Sequence, residues 1–161
     1  MTTVLVAAAP ERARPGSGRI ASSAGGGAPE ASSGLRSELM ALGGTVHDGD
    51  LTVEFRQTDD EAELIHWLGR AVESGWGVVL DPTGFTHYSY ALRDAAAAVT
   101  EAGLPLIEVH LGNPGARDDG GRSSVISAVS TGVIAGLGFD SYRFAVQAAA
   151  ARVRAGVAAR A

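Results

Sequence analysis

The chain has 161 residues, enough for one domain with a substantial buried core. Its formal net charge of −5 argues against a nucleic-acid-binding surface, and the lack of cysteine excludes disulfide frameworks and thiolate metal sites. No apolar run approaches the roughly 20 residues of a membrane span, and Met1-Thr-Thr-Val-Leu-Val6 lacks the basic stretch of a signal peptide. The expectation is a cytoplasmic protein with neither a membrane nor a nucleic-acid partner.

Thr3 to Ala9 is a short continuous apolar segment, the pattern of a central parallel strand. Pro10 to Pro29 is nearly all Gly, Ser, Ala, Pro and Arg and cannot hold a core, so residues 10–29 read as a flexible loop, either a functional lid or a disordered insert. From Glu30 to Leu42 the spacing of Leu35, Leu39, Met40 and Leu42 is helical, and Gly43-Gly44 ends it. Asp48-Gly49 is a turn signal, followed by alternation into a strand ending at Phe55. Thr58-Asp-Asp-Glu61 has the form of a capping box opening a helix whose apolar stripe is Leu64, Ile65, Leu68 and Val72, with Gly75 as its stop. His66 and Trp67, at the borders of that stripe, read as surface or packing residues.

A third strand follows over Trp76–Leu80, then a helix from about residue 87 to 102, and a fourth strand over Pro105–Leu111. Gly112 to Ser124 is polar and turn-rich, Val125 to Ile134 is apolar and β-branched, and a last helix runs from Tyr142 to about Arg154, leaving residues 155–161 as a fraying tail. Strands alternating with helices imply a parallel sheet with right-handed crossovers. The expected fold is a single α/β domain over residues 1–161, a flavodoxin-like three-layer sandwich with a five-stranded parallel sheet.

Chemistry gathers where strands end. Asp81, the Thr86-His87 pair and the Glu108/His110 pair fall at the carboxyl ends of consecutive strands, the edge where open α/β sheets keep ligands. Glu108 and His110 are two apart on a strand and share a face. A carboxylate beside an imidazole fixes its tautomer and favours the imidazolium, as a general acid needs. The four histidines lack metal-ligand spacing, no phosphate-binding glycine motif follows the first strand, and no cofactor is implied.

Four ordered segments resemble the type II 3-dehydroquinate dehydratases, small flavodoxin-like lyases. Gln57-Thr-Asp-Asp-Glu61 resembles the family's Gln-Ser-Asn/Asp-x-Glu. Asp81-Pro-Thr-Gly-Phe-Thr-His-Tyr-Ser-Tyr-Ala-Leu-Arg-Asp94 resembles Asn-Pro-Gly-Ala-Tyr/Leu-Thr-His-Thr-Ser-x-Ala-Leu-Arg-Asp. Ile107-Glu-Val-His-Leu-Gly-Asn113 and Thr131-Gly-Val-Ile-Ala-Gly-Leu-Gly138 match the family's fourth strand and last strand. The resemblance implies a small-molecule substrate and a homo-oligomer, a dodecamer built from trimers. It implies His110 as the acid with Glu108 as its orienting partner, and Thr86 and His87 as substrate contacts. It also places main-chain amides of Leu111-Gly112 on the substrate carboxylate, and Asp94 in a neighbouring subunit's site.

The departures are equally specific. The family's lid arginine and lid tyrosine, its base, fall on Gly18 and Ser23, with Arg19 one step off. The substrate-binding arginine of the second loop maps to Gly121, with Arg122 beside it, while Arg117 persists. Asp81 stands where the family has asparagine. Ionised, it would repel a substrate carboxylate by about 4 kcal/mol at ~4 Å and an effective dielectric of ~20. These departures lead to the expectation of a lyase repurposed for dehydration or enol-based cyclisation or isomerisation of a different small substrate in specialised metabolism, with Asp81 or Tyr88 as a new base. The alternatives are a non-catalytic homologue and a genuine 3-dehydroquinate dehydratase.

Overall fold

A computed structural model of the protein describes residues 1–9, 50–116 and 123–158. The expected lid over residues 10–29, the helix over 30–42, the turn at Asp48-Gly49, and Arg117 and Arg122 lie outside them.

Five strands form one sheet: β1 (Thr2–Ala8), β2 (Leu51–Gln57), β3 (Gly77–Asp81), β4 (Leu106–His110) and β5 (Gly132–Ala135). Their order is β2-β1-β3-β4-β5 and every pairing is parallel. Among the described residues the helices are α1 (Glu61–Ser74), α2 (Tyr90–Glu101) and α3 (Asp140–Ala158). None of the described helices is long and apolar enough to cross a membrane.

Strand alternation sorts the core into two layers. Leu5, Ala7, Val78, Leu80 and Leu106 pack against Leu64, Leu68 and Ala71 of α1 and Leu92, Ala96 and Val99 of α2. Val4, Val6, Val79, Ile107 and Val109 face the other way, against Tyr142, Ala145, Val146, Ala149 and Ala150 of α3. This is the expected three-layer α/β sandwich. The crossover from α3 is close: a Cβ on Gly77 would lie 2.9 Å from Val153 Cγ2 and 3.3 Å from Pro105 Cγ.

Element ends differ from expectation for local reasons. Helix α1 is capped by Asp60, whose Oδ1 accepts from the Ala62 N–H at 2.8 Å, whereas Thr58 donates to Glu63 at 2.5 Å. Gly75 closes α1 in the left-handed conformation at φ 70°. Helix α2 starts at Tyr90 because Thr83–His87 form a 3-10 turn and Ser89 then caps the Leu92 N–H at 2.9 Å. The fifth strand is four residues long, since Ser127–Val129 coil into another 3-10 turn before it. Helix α3 continues through Ala158, past the point where fraying was expected. Trp67 is buried, with the Arg56 guanidinium 5.7 Å from its ring, and His66 is exposed.

The strand order reverses between β2 and β3, on either side of β1. The switch-point crevice of such a sheet lies beyond the carboxyl ends of β1 and β3. Ala9 follows β1 there, and Asp81 ends β3.

Candidate active site

Glu108 and His110 share the face of β4 that looks towards the α2 layer. Glu108 is fully buried, a costly position for a carboxylate without partners. It has three. His110 Nε2 donates to Oε1 at 2.8 Å, Ser124 Oγ donates to the same oxygen at 2.7 Å, and Ser127 Oγ donates to Oε2. Burial pushes the carboxyl up, but the bonds from His110, Ser124 and Ser127 outweigh it and hold Glu108 below the usual carboxylate range. A carboxylate only accepts, so Nε2 carries a proton and Nδ1 is the nitrogen left to exchange one with a ligand. The arrangement is an oriented imidazole on a buried anion.

The turn after β3 is tied to this cluster. Val125 N–H donates to the Thr86 carbonyl at 2.9 Å, and His87 Nδ1 donates to the Ser123 carbonyl at 3.3 Å. Ser124, between them, is one of the Glu108 donors and also accepts from the Ile126 and Ser127 N–H groups at 3.0 and 3.1 Å. Thr86, His87, Glu108 and His110 therefore belong to one bonded unit. Thr86 Oγ1 is buried without a hydrogen-bond partner among the described residues. A buried hydroxyl left open beside an oriented histidine suits a ligand atom.

Asp81 lies elsewhere in this frame. It shares a face with Val79, towards α3, while Glu108 and His110 point to the opposite side of the sheet. Its Oδ2 accepts from the Tyr142 hydroxyl at 2.5 Å, and its Oδ1 lies 3.1 Å from Thr83 N and 3.0 Å from Thr83 Oγ1. Burial pushes its carboxyl above the usual range, against the opposing pull of Tyr142, a cationic His110 and Thr83. Both oxygens are engaged within the protein, a poor arrangement for a base.

Tyr88 is 63% exposed and its ring leans on Phe85, with centroids 6.1 Å apart. Leu111 and Gly112 follow β4 directly, the Leu111 carbonyl being held by Gly138 N–H at 3.0 Å. Asp94 is exposed on α2, 3.6 Å from Arg93, and does not join the cluster within one chain. Among the described residues no three His, Asp or Glu side chains are placed to hold a metal ion. Sequence reasoning missed Ser124, Ser127, Thr83 and Tyr142. The three-residue spacing of the serines beside an apolar run was a usable signal; nothing local marks Tyr142.

A five-stranded parallel sheet in this order, with a carboxylate-bound histidine at its carboxyl edge, defines a small flavodoxin-like α/β protein whose sheet edge presents an oriented imidazole. The family model Dehydroquinase class II matches residues 33–150. A 3-dehydroquinate dehydratase of Salinispora tropica is 52% identical over 104 residues, covering 65% of this chain and 71% of that protein. Another, from Kineococcus radiotolerans, is 44% identical over 122 residues, covering 76% and 80%. Among solved structures, the type II dehydroquinase from Propionibacterium acnes superposes with a TM-score of 0.74 at 32% identity, covering 94% of this chain and 99% of that one. A 3-dehydroquinate dehydratase-like protein from Bifidobacterium longum gives 0.71 at 37%, covering 96% and 99%. The chain belongs to the class II dehydroquinase family of dehydratases.

The expectation of a repurposed lyase in specialised metabolism is corrected by these relatives, which at 44–52% identity are named 3-dehydroquinate dehydratase. The physical premise also fails: like-charge repulsion from Asp81 needs an ionised carboxyl aimed at the ligand, whereas this one is turned inward and driven towards its neutral form.

Proposed function

We propose that the protein is a genuine 3-dehydroquinate dehydratase, eliminating water from 3-dehydroquinate. The observation that carries this reading is the Glu108–His110 pair, with Ser124 and Ser127 holding the carboxylate from behind. Removal of the proton beside the ketone gives an enolate. Collapse of the enolate forms the carbon–carbon double bond and breaks the carbon–oxygen bond, and the His110 Nδ1 proton goes to the departing hydroxyl, which leaves as water. Glu108 keeps the imidazole oriented.

The first proton needs an acceptor. The chain has three tyrosines, and Tyr142 is buried on Asp81. Tyr88 adjoins His87 in the turn bonded to the Glu108 cluster, and we assign it the first proton. Thr86 Oγ1 and His87 Nε2 bind substrate hydroxyls. The main-chain N–H groups of Leu111 and Gly112 hold the substrate carboxylate, and Arg117 and Arg122 are further substrate-binding residues. Asp94 serves the site of a neighbouring copy.

That last role requires assembly. Val133 on the edge strand β5, with Leu137, Phe139 and Phe144 after it, is an exposed apolar group that a second copy would cover. The proposed assembly is a dodecamer of trimers, tested by sedimentation equilibrium; a monomer at assay concentration would refute it. The dehydratase reading is tested by adding 3-dehydroquinate and following the conjugated enone by absorbance. Sustained turnover is expected, and none with an assembled protein would overturn it.

A further inference from the structure

The switch-point crevice holds a network that the dehydration chemistry above leaves unused. Thr83 Oγ1 lies 2.9 Å from the Ala9 carbonyl oxygen and 3.0 Å from Asp81 Oδ1. A hydroxyl owns one proton, and a carbonyl oxygen can only accept. When the Thr83 proton goes to Ala9, the contact with Asp81 is a hydrogen bond only if Asp81 brings a proton of its own. Ala9 N–H also donates to the Asp81 carbonyl at 2.9 Å, so the two strand ends are joined by backbone and side chain.

Thr83 is held in an unusual state. Its φ of 44° makes it the one non-glycine with positive φ among the described residues. For a β-branched side chain this conformation is strained, and it persists only where surroundings enforce it. Thr83 opens the 3-10 turn that ends at His87, so whatever fixes Thr83 also fixes Thr86 and His87.

We propose that Asp81 is a protonated positioning residue: its proton goes to Thr83 Oγ1, Thr83 passes its own to Ala9, and this relay holds the turn carrying Thr86 and His87. Ionising Asp81 turns the Thr83 hydroxyl back to the carboxylate, strips Ala9 of its partner and loosens the turn. Among the described residues the groups around Asp81 are Tyr142 from α3, His110 from β4 and Thr83 from its own turn; its β1 neighbours Ala8 and Ala9 carry no charge. Burial favours the neutral carboxyl, and a cationic His110 opposes it.

The kinetic arm rests on the dehydratase reading; the other two do not. The first arm compares melting temperatures of the full protein and Asp81→Asn across pH. A carboxyl with a raised folded-state pKa gives stability that is full below the unfolded value and is lost as pH rises through the folded one. The difference, wild type minus Asp81→Asn, should therefore shrink as pH rises above the ordinary carboxylate range; a flat or growing difference overturns the proposal. In the second arm, the aspartate carboxyl carbon-13 resonance missing from Asp81→Asn should report a protonated group at neutral pH, and an ionised one overturns it. In the third, kcat/KM for 3-dehydroquinate should fall on the alkaline side with the midpoint of that resonance. The limb should vanish in Asp81→Asn and in Thr83→Gly, which keeps Asp81 but cuts the relay. A limb unchanged in Thr83→Gly overturns the positioning role. Absence of any turnover refutes the dehydratase reading while the melting and resonance arms still decide the state of Asp81.

Discussion

Glu108 keeps its charge inside the protein because the bonds from His110, Ser124 and Ser127 outweigh its burial; at Asp81 burial outweighs Tyr142, Thr83 and the His110 charge and pushes the carboxyl the other way. Sequence spacing was enough to pair Glu108 with His110, since alternation along a strand is local. It could not reveal that Asp81 is turned inward onto Tyr142, 61 positions away. At this scale Tyr88 is the assignment most open to test. Tyr88→Phe keeps the ring on Phe85 and removes only the hydroxyl, so kcat should fall about 10²–10⁴-fold, the usual worth of a general base. Tyr90→Phe, equally exposed, should leave kcat unchanged. Equal effects in the two variants, or none in either, would remove Tyr88 from the mechanism.

The elements were legible where a pattern is periodic and illegible where a cap decides. Strands β1 and β3 are built on apolar runs and β4 on apolar residues alternating with Glu108 and His110, and all three lie within a residue or two of their expected ends. The β5 run from Val125 looked like a longer strand because Val125 and Ile126 are apolar, but they pack beneath the α2 layer rather than joining the sheet. The start of α2 was missed because Pro82 and Gly84 signal a turn without telling its length. The tightest joint between elements is Gly77 in β3, buried under Val153 of α3 and beside Pro105. Val153 is β-branched and stiff, so it cannot give way cheaply. Gly77→Ala should destabilise the protein by about 1–3 kcal/mol, seen as a lower urea midpoint with unchanged slope. An unchanged midpoint would mean that α3 sits further from the sheet.

For the whole molecule, the strand order turns scattered motifs into a site. Asp81-Pro to Asp94, Ile107 to Asn113 and the serines after residue 122 are separate in sequence, and the parallel order β1-β3-β4-β5 brings their ends to one edge. Four motifs in order were enough to give the family and the fold. The departures from them misled on substrate, because Asp81 was read as a charge facing the substrate carboxylate when packing had turned it inward. What His110 does to 3-dehydroquinate itself therefore decides the proposed activity. The direct measurement is kcat for 3-dehydroquinate with the full chain and with His110→Ala, at equal oligomeric state. The unsubstituted protein should turn over, and His110→Ala should lose about 10²–10⁴-fold in kcat. Turnover that survives the substitution would place the acid elsewhere, and no turnover by the unsubstituted protein would contradict the account as a whole.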